Sequence, residues 1–240
     1  MPMIAVAQIE IYDNLNENVK NILNFIDKAA FKNADIICFP ESCLGEDFLD
    51  IKCKEIQRVQ NKCKEKSIYC ILGAHIKEKG KIYNSAILIN RTGEIQYVYR
   101  KKHLFPKLDL DETSPGKINQ AIRTDFAKIG IIICWDFAFP EDIKELSKNG
   151  AQIIFCPSYL LSDAKISKDV FRSYPQTRAF ENLSYFISCD AFTDEVFCES
   201  YICGPLEILN KIKNREGIIF ADLDLQKIDK LRRYYNCLDA

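Results

Sequence analysis

Nowhere in the 240 residues of this sequence is there an apolar run approaching the roughly 20 residues that a membrane-crossing helix needs. The N-terminus also lacks the basic-then-apolar layout of a signal peptide, and a cytoplasmic protein is expected. An excess of one charge is missing too. The 33 basic and 34 acidic residues are spread along the chain and leave a formal net charge of -1. Electrostatics therefore gives no reason to expect nucleic acid or a membrane surface as a partner, and a neutral or small substrate is the more natural one. Histidine is scarce, His75 and His103 being the only two, and no C-x-x-C pair occurs. The ligand spacing of a structural zinc site is absent, and no structural metal is expected. Linkers, low-complexity tracts and repeats are lacking as well, so residues 1–240 are expected to form a single domain.

Cysteine, in contrast, is abundant. The 11 cysteines are odd in number and sit inside apolar runs such as Ile36-Ile37-Cys38-Phe39 and Ile154-Phe155-Cys156-Pro157. Free cysteine in such a setting behaves as a small hydrophobe, which counts against a disulfide or thiol-redox protein.

Periodicity orders the first half of the chain as alternating strands and helices. Residues 4–9 read as a strand. Leu15, Val19, Ile22, Ile26 and Ala29 follow at helical spacing, then a strand over 34–39 that runs into Pro40-Glu41. Cys53, Ile56 and Cys63 mark a second helix, and 68–74 a third strand. Residues 82–89 and 95–99 flank the turn Arg91-Thr92-Gly93, a hairpin with no room for a helix. Strands are expected over 118–126 and 128–134, then a helix over 141–148, a strand over 151–156, a long helix over about 168–182 and a strand over 184–189. Strands over 197–203 and 217–223 and a final helix after Asp224 complete the pattern. So many strands imply two sheets packed face to face with helices outside.

Reactive groups fall at strand ends. Glu41 follows the strand through Phe39, Lys101 the strand through Tyr99, and Cys134 the apolar run Ile131-Ile132-Ile133. Pro140-Glu141 then reads as the first turn of a helix, so Cys134 lies at a strand-to-helix corner. Parallel strands in α/β proteins present their chemistry at such carboxyl ends. A thiol attacks as thiolate, a carboxylate can take its proton, and an ammonium can stabilise an oxyanion, so the three types suit acyl transfer through a thioester. Each residue also has a plain structural reading: Cys134 as core filler, Glu41 as a helix N-terminal acid, Lys101 as part of a solvated basic turn. His103 could pair with Cys134 as a dyad or serve as a structural hydrogen-bonder.

The sequence resembles the nitrilase-related carbon-nitrogen hydrolases. Pro40-Glu41-Ser42, Tyr99-Arg100-Lys101-Lys102-His103-Leu104-Phe105 and Gly-Ile-Ile-Ile-Cys-Trp-Asp-Phe-Ala-Phe-Pro-Glu over 130–141 are similar to that family's three signature segments, in order. Tyr83-Asn84-Ser85-Ala86, Pro157-Ser158 and Arg178-Ala179-Phe180-Glu181-Asn182 extend the similarity over nearly the whole chain. The resemblance implies a four-layer αββα sandwich of two mixed sheets, usually a homodimer. It makes Glu41 the general base, Lys101 rather than Lys102 the oxyanion stabiliser, and Cys134 the nucleophile, with the backbone N–H of Trp135 a second oxyanion donor. An accessory glutamate after the lysine maps best onto Glu112, with Asp109 and Asp111 as neighbours. No cofactor is implied. Ala138 stands where many relatives carry arginine, and the chain stops soon after Arg232-Arg233-Tyr234-Tyr235, short of the longer tail of many relatives.

The expected activity is hydrolysis of a small amide or N-carbamoyl compound. The alternative is an inactive nitrilase-like binding or regulatory protein, against which the intact Glu41, Lys101 and Cys134 set argues. Trp135, Phe137, Tyr159 and Phe192 join Glu112 as candidate pocket walls, without distinguishing an ω-amide of a dicarboxylic acid from an aliphatic amide or a carbamoyl amine.

Overall fold

Isoleucine-rich runs and amphipathic helices alternate along the chain and assemble into two mixed sheets stacked face to face, with helices outside them. A computed structural model describes residues 1–106, 109, 113–117 and 119–235. In chain order the first half holds β1 (Met3–Gln8), α1 (Leu15–Phe31), β2 (Ile36–Cys38), β3 (Phe48–Leu49), α2 (Lys54–Lys66), β4 (Tyr69–Glu78), β5 (Lys81–Ile89) and β6 (Ile95–Arg100). The second half holds β7 (Ile122–Arg123), β8 (Lys128–Ile131), a short 3-10 helix (Cys134–Ala138), α3 (Pro140–Lys148), β9 (Ile153–Pro157) and α4 (Lys168–Glu181). It ends with β10 (Tyr185–Cys189), β11 (Glu199–Cys203), β12 (Ile208–Lys213), β13 (Gly217–Asp222) and α5 (Leu225–Tyr235).

One sheet runs β13-β1-β2-β4-β5-β6, with β3 beside β4; the other runs β12-β11-β10-β9-β8-β7. Strand alternation explains the layers. On β1, Ile4 and Val6 pack into the core between the sheets, while Ala5 and Ala7 face the core under α1 and α2. Helix α1 answers with Val19, Ile22, Phe25, Ile26 and Ala29, all buried on one face. Its start is fixed by Asn14, whose Oδ1 accepts the N–H groups of Asn16 at 2.9 Å and Glu17 at 3.2 Å. The sandwich expected from the resemblance is therefore present.

Direction of the strands places the site. β1, β2 and β4 are parallel, as are β8, β9 and β10. β6 is two antiparallel steps from β4, which restores its direction. The carboxyl ends of β2, β4 and β6 thus share one edge of their sheet.

Three departures from the sequence reading have local causes. The strand expected over 118–126 shrinks to Ile122–Arg123, because the chain turns where Thr124 N bonds Ala127 O at 2.9 Å; Ile118 lies outside the described residues. The strand expected to reach Cys134 stops at Ile131, where the turn begins. β12 was not anticipated: it lies at the sheet edge, most of its residues are at least partly exposed, and no apolar alternation marks it.

Candidate active site

Glu41 stands just beyond β2, where Phe39 N still bonds Ile71 O at 3.0 Å before the chain turns away. The corner needs glycine beneath it. A Cβ on Gly73 of β4 would lie 2.3 Å from Pro40 O and 2.7 Å from Ser42 N, so only a bare backbone lets the corner pack. Residues 41–44 form a turn rather than a helix, which removes the reading of Glu41 as a helix N-terminal acid.

Lys101 follows β6 directly, its N–H held by Asn84 O at 2.8 Å and its carbonyl by Gly116 N at 2.8 Å. Gly116 is the second required glycine, since a Cβ would meet Arg100 O at 2.1 Å. The Lys101 side chain is 3% exposed, and its Nζ sits 2.7 Å from Glu41 Oε1 and 2.7 Å from Asp109 Oδ2. Asn84 joins the same cluster, donating from Nδ2 to Glu41 Oε1 at 2.7 Å and Asp109 Oδ1 at 3.2 Å. The other oxygen of Glu41 accepts Tyr159 N at 2.8 Å. Lys101 is therefore no solvated basic turn.

Cys134 opens the 3-10 helix after β8 with φ of 43°, a conformation a non-glycine residue adopts only under constraint. Asp136 supplies the constraint. Its carboxylate accepts Ile133 N at 2.9 Å, His103 N at 2.8 Å and Tyr99 Oη at 2.8 Å, tying the Cys134 turn to the chain beyond Lys101. Pro140 then starts α3, as its fixed φ favours. The thiol is buried and its Sγ lies 3.8 Å from Tyr159 O.

Burial pushes the Cys134 thiol well above its ordinary value, the Glu41 carboxylate adds to that rise, and the Lys101 ammonium opposes it. The balance favours the thiol over the thiolate. For Lys101, burial works against the ammonium, yet Glu41, Cys134 and Asp109 outweigh it and hold its pKa above the ordinary value. Burial also works against the Asp109 carboxylate, but Lys101 prevails and keeps it below the usual range.

Glu41, Lys101 and Cys134 come from three strand ends and line one cavity of about 1030 Å³. Trp135, Phe137 and Tyr159 also line it, as expected for pocket walls. Phe192 does not. It packs with Ala191, Val196 and Cys198, its N–H bonding Ile9 O at 2.9 Å, because an isolated bridge to Glu10 draws it to the neighbouring sheet. His103 makes no dyad with Cys134: its Nε2 lies 2.6 Å from Asp142 Oδ2 and its ring stacks on Phe139 at 3.5 Å. Glu112 and Asp111 lie outside the described residues, and the carboxylate seen on Lys101 is that of Asp109. Sequence reasoning did not single out Asn84. Its signal was its place in Tyr83-Asn84-Ser85-Ala86, one of the segments similar to the family, which gave it no role of its own.

A family model described as carbon-nitrogen hydrolase matches residues 3–233. The omega-amidase NIT2 of Homo sapiens is 27% identical over 96% of this chain and 91% of its own length. The N-carbamoylputrescine amidase of Solanum tuberosum is 26% identical over 95% of this chain and 88% of its own. A crystal structure of a carbon-nitrogen hydrolase from Helicobacter pylori shares the fold at a TM-score of 0.90 and 21% identity, covering 99% of this chain and 94% of that one.

Proposed function

The chain belongs to the carbon-nitrogen hydrolase family, and we propose that it hydrolyses a small amide or N-carbamoyl substrate through a thioester on Cys134. The observation that carries this reading is the meeting of Glu41, Lys101 and Cys134 in the wall of one cavity. In the proposed cycle Glu41 takes the thiol proton as Sγ bonds to the substrate carbon. The carbonyl electrons move to oxygen, where Lys101 Nζ and the Trp135 N–H stabilise the charge. Collapse breaks the carbon-nitrogen bond, and the proton from Glu41 leaves with the nitrogen as ammonia or amine. Water, deprotonated by Glu41, then attacks the thioester and returns acid and thiol. Protein groups and water complete the cycle.

Asp109 takes the accessory role in this reading, because its carboxylate holds Lys101 Nζ at 2.7 Å alongside Glu41. Asp109→Asn should lower kcat/KM by about 10- to 100-fold, by the precedent of groups that orient a reacting residue. A larger loss in Glu112→Gln than in Asp109→Asn would return the role to Glu112.

The ten described cysteines are all free, which suits a cytoplasmic setting where thiols stay reduced. The proposal extends to a homodimer, for which exposed Phe180, Leu206 and Ile208 offer apolar surface. The two relatives' names point to an omega-amide and to a carbamoylated diamine. The direct test is to incubate the protein with amides of several classes, measure ammonia release, quench in acid and weigh the intact chain. An acyl adduct mapped to Cys134 is expected. Ammonia release with no adduct there would exclude the thioester, and a reactive thiol with no turnover would favour a binding protein.

A further inference from the structure

The mouth of the cavity carries a charge that the chain as a whole does not. Asp13, Glu46, Asp47, Asp194 and Glu195 all line it and are all exposed. They come from three separate connections, after β1, after β2 and between β10 and β11. In a chain of 33 bases and 34 acids this is a local concentration. Among the described residues that line the cavity, Lys101 is the one lysine or arginine, and it is held by Glu41 and Asp109 deep in the wall. None of the five rim carboxylates is ion-paired among the described residues. A cleft lined by one sign of charge concentrates the field within it.

A second observation points the same way. Asn84 lies in the cavity wall, is 2% exposed, and its Oδ1 has no hydrogen-bond partner among the described residues. Asn84 Oδ1 inside the cavity and the carboxylates at its mouth are acceptors, and they suit a molecule with N–H donors at both ends.

Tyr159 sets the span. Its N–H bonds Glu41 at 2.8 Å, its carbonyl lies 3.8 Å from Cys134 Sγ, and its hydroxyl donates to Glu195 Oε2 at 3.0 Å. One tyrosine side chain thus separates the nucleophile from a rim carboxylate. A chain of a few methylenes would cover that distance.

We propose that the substrate carries an ammonium group at the end remote from the scissile carbon, as in the amide of a short ω-amino acid or the mono-N-carbamoyl derivative of a short aliphatic diamine. This rests on the amidase reading and names its substrate class. An ω-amide of a dicarboxylic acid would instead bring its free carboxylate among five others.

Three amides of matched length provide the test: δ-aminovaleramide, which is cationic, pentanamide, which is neutral, and the monoamide of glutaric acid, which is anionic. Ammonia release at low ionic strength should give kcat/KM in that order, with about tenfold or more between the first and last. The gap should narrow as salt is raised. In the triple variant Asp47→Asn, Asp194→Asn, Glu195→Gln, the ratio of kcat/KM for δ-aminovaleramide over pentanamide should fall about threefold or more. A preference for the neutral or anionic amide, or an unchanged ratio in the variant, overturns the inference while leaving the amidase reading intact. If none of the three is hydrolysed, the simple-amide half of the proposed function fails. Calorimetric binding to Cys134→Ala protein then decides the charge preference, and equal or tighter binding of the anionic amide overturns it.

Discussion

Cys134→Ala protein is expected to keep its fold and melting temperature within a few degrees while kcat falls by about four to six orders of magnitude, the scale seen when a catalytic nucleophile is removed. The two outcomes separate for a physical reason. The backbone at Cys134 is held at φ of 43° by hydrogen bonds to Asp136 and by the packing of Ile131, Ile132 and Ile133, none of which involves Sγ. Alanine carries the same Cβ and meets the same backbone strain. What disappears is the atom proposed to bond to the substrate carbon, and His103 cannot stand in for it, being committed to Asp142 and Phe139. Circular dichroism and thermal melting report the fold, and ammonia release reports kcat. Turnover within a hundredfold of wild type in the alanine variant would end the assignment of Cys134.

Lys101→Met should be the most damaging change to fold and chemistry together. Methionine matches the length of the side chain but leaves Glu41 and Asp109, which Lys101 now bridges at 2.7 Å on each side, facing one another without a cation. Removing one partner from a buried ion pair costs about 3–5 kcal/mol. Loss of the proposed oxyanion donor should lower kcat by a further factor of about a hundred to a thousand in the molecules that do fold. The sign of the pH dependence follows from Asp109. In the intact protein Lys101 holds its carboxyl below the usual range, so this group adds stability above its unfolded value of about 3.9 and loses it as pH falls through the depressed folded value. Without Lys101, burial is left to dominate, the folded pKa rises above the unfolded one, and the protonated form is favoured in the folded state. The variant's deficit should therefore be largest near pH 8 and shrink toward about pH 5, read as the difference in melting temperature from wild type. A deficit that grows on acidification would show that the carboxylates do not carry it.

Asp136 shows how much of such a site is scaffolding. It does not itself line the cavity, yet it gathers Ile133 N, His103 N and Tyr99 Oη around one buried carboxyl. Burial raises its pKa, against those three donors, so its bonds are made inside a low-dielectric interior where they are strong. The acid after Cys134-Trp135 was visible in the sequence. Its partner across 33 residues, His103 N, was not.

Much of the architecture was legible because periodicity is a local signal. Alternation along β1 and the helical spacing of Val19, Ile22 and Ile26 state which face is buried, whatever it is buried against. Edge strand β12 escaped because its exposed face imposes no pattern. The residues Glu41, Lys101 and Cys134 were legible for a different reason: each stands where a strand ends, and a strand's carboxyl end is a position that sequence can mark.

What the sequence by itself determined, then, is the alternation of strands and helices, the two-sheet sandwich and the three reactive groups at strand ends. Tertiary structure alone decided which atoms meet. Asp109 rather than another acid of its loop reaches Lys101, Asn84 bridges two carboxylates, and Tyr159 links Glu41 to Glu195. It also decided that five acids from three connections ring one cavity mouth, although each alone reads as an ordinary surface charge. Sheet register and the stacking of the two sheets set these meetings. They depend on contacts between segments far apart in the chain, which no short window of sequence contains.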